Sequence, residues 1–311
     1  MEKKDFDSKN LQTKDLIFIS FLALTFVFII YQTNFRFYQS AKADAYATVF
    51  ANNPNTSIKR VVKNFKKALD YNTPLNIQTR KRLSSAIIKK SGQKGQNQKD
   101  VEQALKFTAN ELEKSLKAVP NDLRLLLALS QIYLRLTDFN PSYLQSAQRT
   151  LEKAKEASPN RIEIYYSLGS IKSYYLKDKR GAIKMFKKGL EINPEYSYSY
   201  WNLGITYYEN NDFENAIIFF EKAIEKKYPY YRNLNAIMIV SQTYEKLNRY
   251  DQLIAFLKKS IKLSPQNANL HFLLAETYKK TGNIQKAKEI IDIVIKSNPK
   301  LKEQGEKILD R

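Results

Sequence analysis

The chain has 311 residues, 43% of them apolar, with 8 Gly, 9 Pro, no cysteine and a formal net charge of +21. Without cysteine there are no disulfides, thiol nucleophiles or Cys-ligated zinc, and with so little Gly, Pro or period-two alternation the chain reads as all-α. The charge excess is mostly lysine, 40 Lys against 12 Arg. Arg is the better bidentate reader of phosphate, and the lysines occur throughout the chain rather than in one arm. Sequence-specific nucleic-acid binding is therefore not expected; solvated helix faces are, with binding to an anionic surface as the charge-driven alternative.

Residues 1–15 form a polar tail in which Lys3, Lys4, Lys9 and Lys14 are balanced by Glu2, Asp5, Asp7 and Asp15. Leu16 to Tyr31 then carries no charge, and 12 of its 16 residues are Leu, Ile, Phe or Val. At about 1.5 Å per residue the run covers roughly 24 Å, and the flanking Gln32 to Phe35 extend it toward the roughly 30 Å of a bilayer core. A transmembrane helix is expected over 16–35, with insertion favoured by on the order of 4–7 kcal/mol. The competing reading is a cleaved signal peptide, since Ala41-Lys42-Ala43 and Ala43-Asp44-Ala45 resemble cleavage sites. Those sites lie well beyond the apolar run, and the leading segment is rich in acids, so a retained anchor fits better. Lysines precede the span, while only Arg36 and Lys42 closely follow it. That asymmetry predicts a single-pass protein with its N-terminus inside and its large domain outside the cytoplasm.

A membrane-proximal helical pair is expected over 36–89. Ser57 caps a helix with the apolar face Ile58, Val61, Val62, Phe65, Ala68 and Leu69. Tyr71-Asn72-Thr73-Pro74 stops it, and a second helix runs from Asn76 to Lys89. Residues 90–100, KSGQKGQNQKD, read as a flexible linker. An N-terminal half-repeat helix over 101–122 closes at Pro120.

From there prolines recur in phase at Pro120, Pro159, Pro194, Pro229, Pro265 and Pro299, spaced 39, 35, 35, 36 and 34 residues apart. The clearest unit reads Tyr200-x2-Leu203-Gly204-x2-Tyr207, then Ala216-x3-Phe220-x2-Ala223 and Pro229. Gly204, Ala216 and Ala223 are small where two helices must approach, and Tyr207 and Phe220 fill the space around them. This pattern resembles the tetratricopeptide repeat (TPR), with Tyr200 in the place of the usual Trp. The resemblance implies five TPR units over 123–299 and a capping helix over 300–311. The expected fold class is thus an all-α TPR solenoid, a right-handed superhelix of helix pairs, preceded by one transmembrane helix.

No Gly-rich phosphate loop or metal-binding His pair appears, and the single histidine, His271, falls at a packing position, so no catalytic residue, metal or cofactor is expected. Function is expected in the concave groove lined by the first helix of each unit. Spacing assigns Tyr166, Tyr198, Trp201, Asn202, Tyr208, Gln242 and Phe272 to that groove, with the aromatic rings offering amphipathic area to a protein or peptide partner or to a polysaccharide. A familiar TPR use, clamping a chaperone C-terminus, is disfavoured: Asn202 matches its pattern, but Tyr166, Ser170, Asn235 and Ile239 stand where its other polar and basic residues belong.

The order of segments also resembles the C-terminal region of bacterial O-antigen ligase and polymerase-like membrane proteins. There a last transmembrane helix is followed by a segment like Asn34-Phe35-Arg36, an alanine-rich stretch like Ala41 to Ala47, a helical pair and TPRs. In that family the catalytic loops lie among many spans, and this chain has one. The resemblance implies at most an accessory or truncated region acting in surface-polysaccharide assembly; the main expectation is a non-enzymatic, membrane-anchored TPR scaffold.

Overall fold

The computed structural model describes residues 13–310, so the expected polar tail at 1–15 lies almost wholly outside the described residues, as does Arg311. Among the described residues every regular element is helical. The chain divides into two compact units, Met1–Pro159 and Asn160–Arg311.

The first unit begins with α1 (Thr13–Ile30), which passes through a π-helical turn (Tyr31–Phe35) into α2 (Arg36–Asn52) without a break. The large apolar side chains from Leu16 to Ile30 are 42–69% exposed. Among the described residues this is the one helix long and apolar enough to cross a membrane. In α2 one face turns inward, with Ser40, Asp44, Ala47 and Ala51 buried. The expected helical pair over 36–89 is therefore a trio of α2, α3 (Ile58–Leu69) and α4 (Asn76–Ser91). Ser57 caps α3 by accepting from Arg60 N, while Ile58, Val61, Phe65 and Leu69 pack with Ala47 and Ala51 of α2 and Leu83 and Ile87 of α4.

The stretch read as a flexible linker, 90–100, is shorter than expected and tied down at both ends. Lys90 is fully buried and donates from Nζ to the carbonyls of Asn53 (2.7 Å) and Pro54 (3.1 Å), satisfying the end of α2. Gln96 Oε1 accepts from Ile58 N at 3.1 Å. Only residues 92–97 lie outside helix before α5 (Gln98–Ala118), which Asn97 caps. Burial of backbone carbonyls demands such partners, and a polar-looking sequence can supply them. The unit closes with α6 (Leu123–Leu136) and α7 (Tyr143–Ala157).

Four helix pairs follow in the second unit: α8 (Ile162–Ser170, prolonged by a π turn over Ile171–Tyr175) with α9 (Lys179–Ile192), α10 (Ser197–Tyr208) with α11 (Phe213–Glu225), α12 (Leu234–Lys246) with α13 (Tyr250–Leu263), and α14 (Ala268–Lys280) with α15 (Ile284–Ser297). Helix α16 (Lys302–Asp310) packs on the last pair. The turns within the pairs repeat one device. Lys177, Asn211, Asn248 and Gly282 adopt positive φ (53°, 57°, 53° and 80°), and the next residue's N–H returns to a carbonyl of the preceding helix, as in Asp212 N to Tyr207 O (3.0 Å) and Asn283 N to Tyr278 O (2.8 Å). This closes the helix end in the manner of a Schellman motif. Asp178, Asp212 and Asn283 then cap the following helix. The π turn has a local cause. Nine residues separate Gly169 from its cap Asp178, whereas eight separate Gly204 from Asp212, and α8 absorbs the extra residue as a wider turn.

Pairs are held by close approach at the small positions. A Cβ on Gly204 would meet Phe220 Cδ1 at 2.5 Å, and one on Gly169 would meet Phe186 Cε1 at 2.6 Å; both rings are fully buried. Gly204→Ala is therefore expected to destabilise the second unit by about 1–3 kcal/mol through overpacking, with partial recovery on adding Phe220→Leu, read by chemical denaturation.

In the first unit Glu111 is buried and accepts from Arg80 Nε (2.8 Å) and from Lys114. Burial pushes its carboxyl up, but the hydrogen bonds from Lys114 and Arg80 outweigh this and hold it below the ordinary carboxylate range. A depressed folded value stabilises above the unfolded pKa of about 4.3, and that stability is lost as pH falls through the folded value. Glu111→Gln should cost about 1–3 kcal/mol at neutral pH and flatten the acid limb of the stability curve, measured by urea titration across pH.

Candidate functional site

The second unit carries a connected group of tyrosines on its first two helix pairs. Tyr166 of α8 lies 5.6 Å from Tyr196 and 6.4 Å from Tyr198, ring centre to ring centre, both edge to face. Tyr196 and Tyr198 are 5.7 Å apart, and Tyr198 meets Tyr228 edge to face at 5.1 Å. Tyr228 in turn stacks on Trp201 at 4.3 Å with the planes 7° apart. Such offsets and T-shapes are the favoured aromatic geometries. From the π turn of α8, the Tyr174 hydroxyl donates to Asn202 Oδ1 at 2.8 Å, and Asn202 Nδ2 donates to the Tyr198 carbonyl at 3.1 Å. The extra residue in α8 thus carries Tyr174 to the edge of this group.

The outer rings remain available: Tyr198 is 43% exposed and Tyr174 45%. Burial pushes the hydroxyls of Tyr174, Tyr196 and Tyr228 up to about 12, with neighbouring tyrosines adding to the shift. They therefore stay protonated at any physiological pH. The result is a shelf of flat apolar faces edged by neutral hydroxyls, suited to packing against an extended chain and hydrogen bonding along it.

Of the seven residues assigned from spacing, Tyr166, Tyr198, Trp201 and Asn202 come together in this group. Two of these are wall rather than surface: Trp201 is 7% exposed and wedged between Tyr228 and Phe220, and Asn202 is 5% exposed. Trp201 lies three residues from Tyr198 on the same side of α10, but its ring is covered by Tyr228 and Phe220. Tyr208 and Gln242 form a separate pair across α10 and α12, the hydroxyl donating to Oε1 at 2.8 Å. Phe272 lies apart from both and is 4% exposed. It forms the floor of a cavity of about 600 Å³ between α14 and α16, with Glu276, Lys280, Gln304, Lys307 and Ile308 around it. Spacing missed Tyr174, Tyr196 and Tyr228. Tyr196 and Tyr228 sit beside the unit-closing Pro194 and Pro229, so aromatics flanking those prolines were a readable signal; Tyr174 depends on the π turn and was not.

Among the described residues no group of three or more potential metal ligands is found. His271 Nε2 donates to the Pro265 carbonyl at 3.1 Å, a packing and turn role.

Comparison with known proteins gives consistent relatives. A tetratricopeptide repeat model matches residues 162–196 and 197–225, and a model for a region in clathrin and VPS proteins matches 228–302. A TPR repeat-containing protein of Methanocaldococcus jannaschii is 26% identical over 148 residues, 45% of this chain and 26% of that protein. The peroxisomal targeting signal receptor of Pichia angusta is 30% identical over 132 residues, 41% of this chain and 22% of the receptor. The chain thus spans about a quarter of the length of the curated relatives it matches. Among solved structures, the type IV pilus biogenesis factor PilW superposes with a TM-score of 0.52 at 18% identity, covering 76% of this chain and 99% of that one. A tetratricopeptide repeat protein from Parabacteroides merdae does so with a TM-score of 0.52 at 14% identity, covering 88% and 99%. These two likenesses concern the fold alone. The described residues are thus all helical and arranged in pairs, and residues 162–225 are similar to tetratricopeptide repeats.

Proposed function

We propose that this protein is a non-catalytic, membrane-anchored TPR scaffold that holds a peptide segment of a protein partner on the tyrosine shelf of its second unit. The observation that carries the reading is the shelf: exposed rings of Tyr174 and Tyr198 beside a packed layer of Tyr166, Tyr196, Tyr228 and Trp201. Rigid aromatic anchors bind with little loss of side-chain entropy, and tyrosine and tryptophan are over-represented among residues that dominate binding energy. That one curated relative is, by name, a receptor for a targeting signal is consistent with peptide capture. Anchoring rests on α1, whose apolar side chains are left exposed by the described residues. The lysines before the span favour an N-terminus on the cytoplasmic side and the repeats outside it.

The same exposed rings favour a second reading, a sugar chain stacked on the shelf, in keeping with the layout shared with surface-polysaccharide proteins. The two separate by experiment. Tyr198→Ala should weaken capture of a peptide partner about tenfold while leaving the melting temperature unchanged, whereas Trp201→Ala should cost about 3–5 kcal/mol of stability because its ring is core. Calorimetric response to oligosaccharides, with none to peptides, would replace the peptide by the glycan; response to neither would remove the shelf as the site.

Anchoring and orientation are tested together by protease access in spheroplasts of cells expressing the full chain with a C-terminal reporter. Cleavage of the repeats from outside, with the protein resisting alkaline extraction from membranes, is the expected result. A protected domain would reverse the orientation, and loss to the soluble fraction would remove the anchor.

A further inference from the structure

The net charge is not evenly placed. Residues 53–99 hold 12 Lys and Arg against one acid, Asp70, and so supply +11 of the chain's +21. The structure consumes part of this internally: Arg80 pairs with Glu111, Lys81 with Asp122 and Arg82 with Asp44, and Lys90 is buried on carbonyls. What remains is a stripe on α3. Lys59, Arg60, Lys63, Lys66 and Lys67 are all exposed, and among the described residues none forms an ion pair. At 3.6 residues per turn they fall within about 120° of one helix face, opposite the buried Ile58, Val61, Phe65 and Leu69. Several exposed lysines elsewhere are matched by acids one turn away, as in Lys106 with Glu102, Lys155 with Glu152, Lys188 with Glu191 and Lys307 with Glu303. The α3 stripe lacks that compensation; only Asp70, at its C-terminal end, opposes it.

Its position suggests the partner. Two contacts fix α3 antiparallel to α2: Arg60 lies over the Phe50 ring at 4.9 Å, and Thr73, beyond the end of α3, hydrogen bonds Ser40 at 3.0 Å. The C-terminal end of the stripe is therefore the end nearest the apolar helix. Because α1 and α2 are continuous, Lys66 and Lys67 lie roughly 12 Å beyond Phe35 along the helix axis at about 1.5 Å per residue. Lys63 is one turn farther, and Lys59 and Arg60 about two. The headgroup layer itself reaches roughly 5–8 Å beyond the hydrocarbon core, and its surface potential decays over a Debye length of about 8–10 Å, so the near end of the stripe falls within the field of anionic headgroups when α1 spans the bilayer.

We infer that the basic stripe of α3 docks the first unit on the anionic lipid surface of the membrane that α1 enters, engaging headgroup phosphates through Lys66 and Lys67, with Lys63 in the outer part of the field, and holding the unit against the bilayer. The inference rests on the anchoring reading and adds to it a lipid-charge dependence that an apolar anchor alone lacks.

The test is amine acylation of the full-length protein, followed site by site by mass spectrometry, in vesicles of neutral phosphatidylcholine and in vesicles with 30% phosphatidylglycerol, a composition chosen at about the anionic fraction that gives a strong surface potential. Expected is a several-fold slowing at Lys66 and Lys67 with anionic lipid, less at Lys63 and least at Lys59, reversed by high salt, with Lys188 unchanged. A Lys66→Gln/Lys67→Gln variant, whose changes are on the exposed face, should lose more of the lipid dependence of Lys63 labelling than Lys59→Gln/Arg60→Gln. Equal rates in the two vesicle types overturn the proposal, as does protection by a short oligonucleotide without protection by anionic vesicles. Flotation of the protein with neutral vesicles reports the anchor separately. Flotation without stripe protection leaves the anchor and removes the stripe; stripe protection in a protein that fails to float keeps the stripe and removes the anchor.

Discussion

In the first two helix pairs of the second unit the helices come together where one of them has no side chain in the way. At Gly204 the ring of Phe220 occupies the place of a Cβ, and at Gly169 the ring of Phe186 does the same. The contact brings backbone against a buried aromatic face and leaves the outer apolar positions of each pair uncovered. Those positions need a neighbour, so pairs accumulate. The apolar core of the second unit accordingly runs from Trp201 to Val294 through successive pairs, as expected when each repeat stabilises mainly through its interface with the next.

A fold made this way has interchangeable walls and a few irregular places, and the irregular places are where distinct chemistry collects. The extra residue in α8 becomes a π turn, which carries Tyr174 to Asn202 and widens the aromatic group between the first two pairs of the second unit. The tyrosines there serve two purposes at once. Trp201, Tyr228 and Phe220 fill volume, while Tyr198 and Tyr174 keep much of their ring area in solvent. Large rings let the same residues be both mortar and surface, because one face can pack while the opposite face stays free.

The first unit is organised by a different constraint. An apolar helix with every large side chain exposed runs unbroken into α2, whose inner face is locked by Asp44 to Arg82 and Ser40 to Thr73. There is no loop at which the unit could swing independently of α1. Any surface that α1 enters is thereby presented to the rest of the unit at a fixed height, and the distribution of unpaired cations on α3 acquires a direction.

The sequence by itself determined the helical class, the period and the cap at Ser57, since these depend on residues within a few positions of each other. Pro194 and Pro229, the Gly204–Phe220 spacing and Ser57 at a helix start were all legible for that reason. It also marked α1 by composition alone. The tertiary structure decided the fate of side chains whose neighbours are distant in sequence. Spacing put Trp201, Asn202 and Phe272 on an open groove; packing against Tyr228, Tyr174 and the α14–α16 cavity removed them from it. A linker composition at 90–100 hid a buried lysine serving the end of α2. Likewise lysines that look alike in sequence separate into paired, buried and unpaired ones only once Glu111, Asp122 and Asp44 are brought beside some and not others. Local periodicity fixes which face of a helix is apolar, but what covers that face, and which charges are left without a partner, is settled by elements that arrive from elsewhere in the chain.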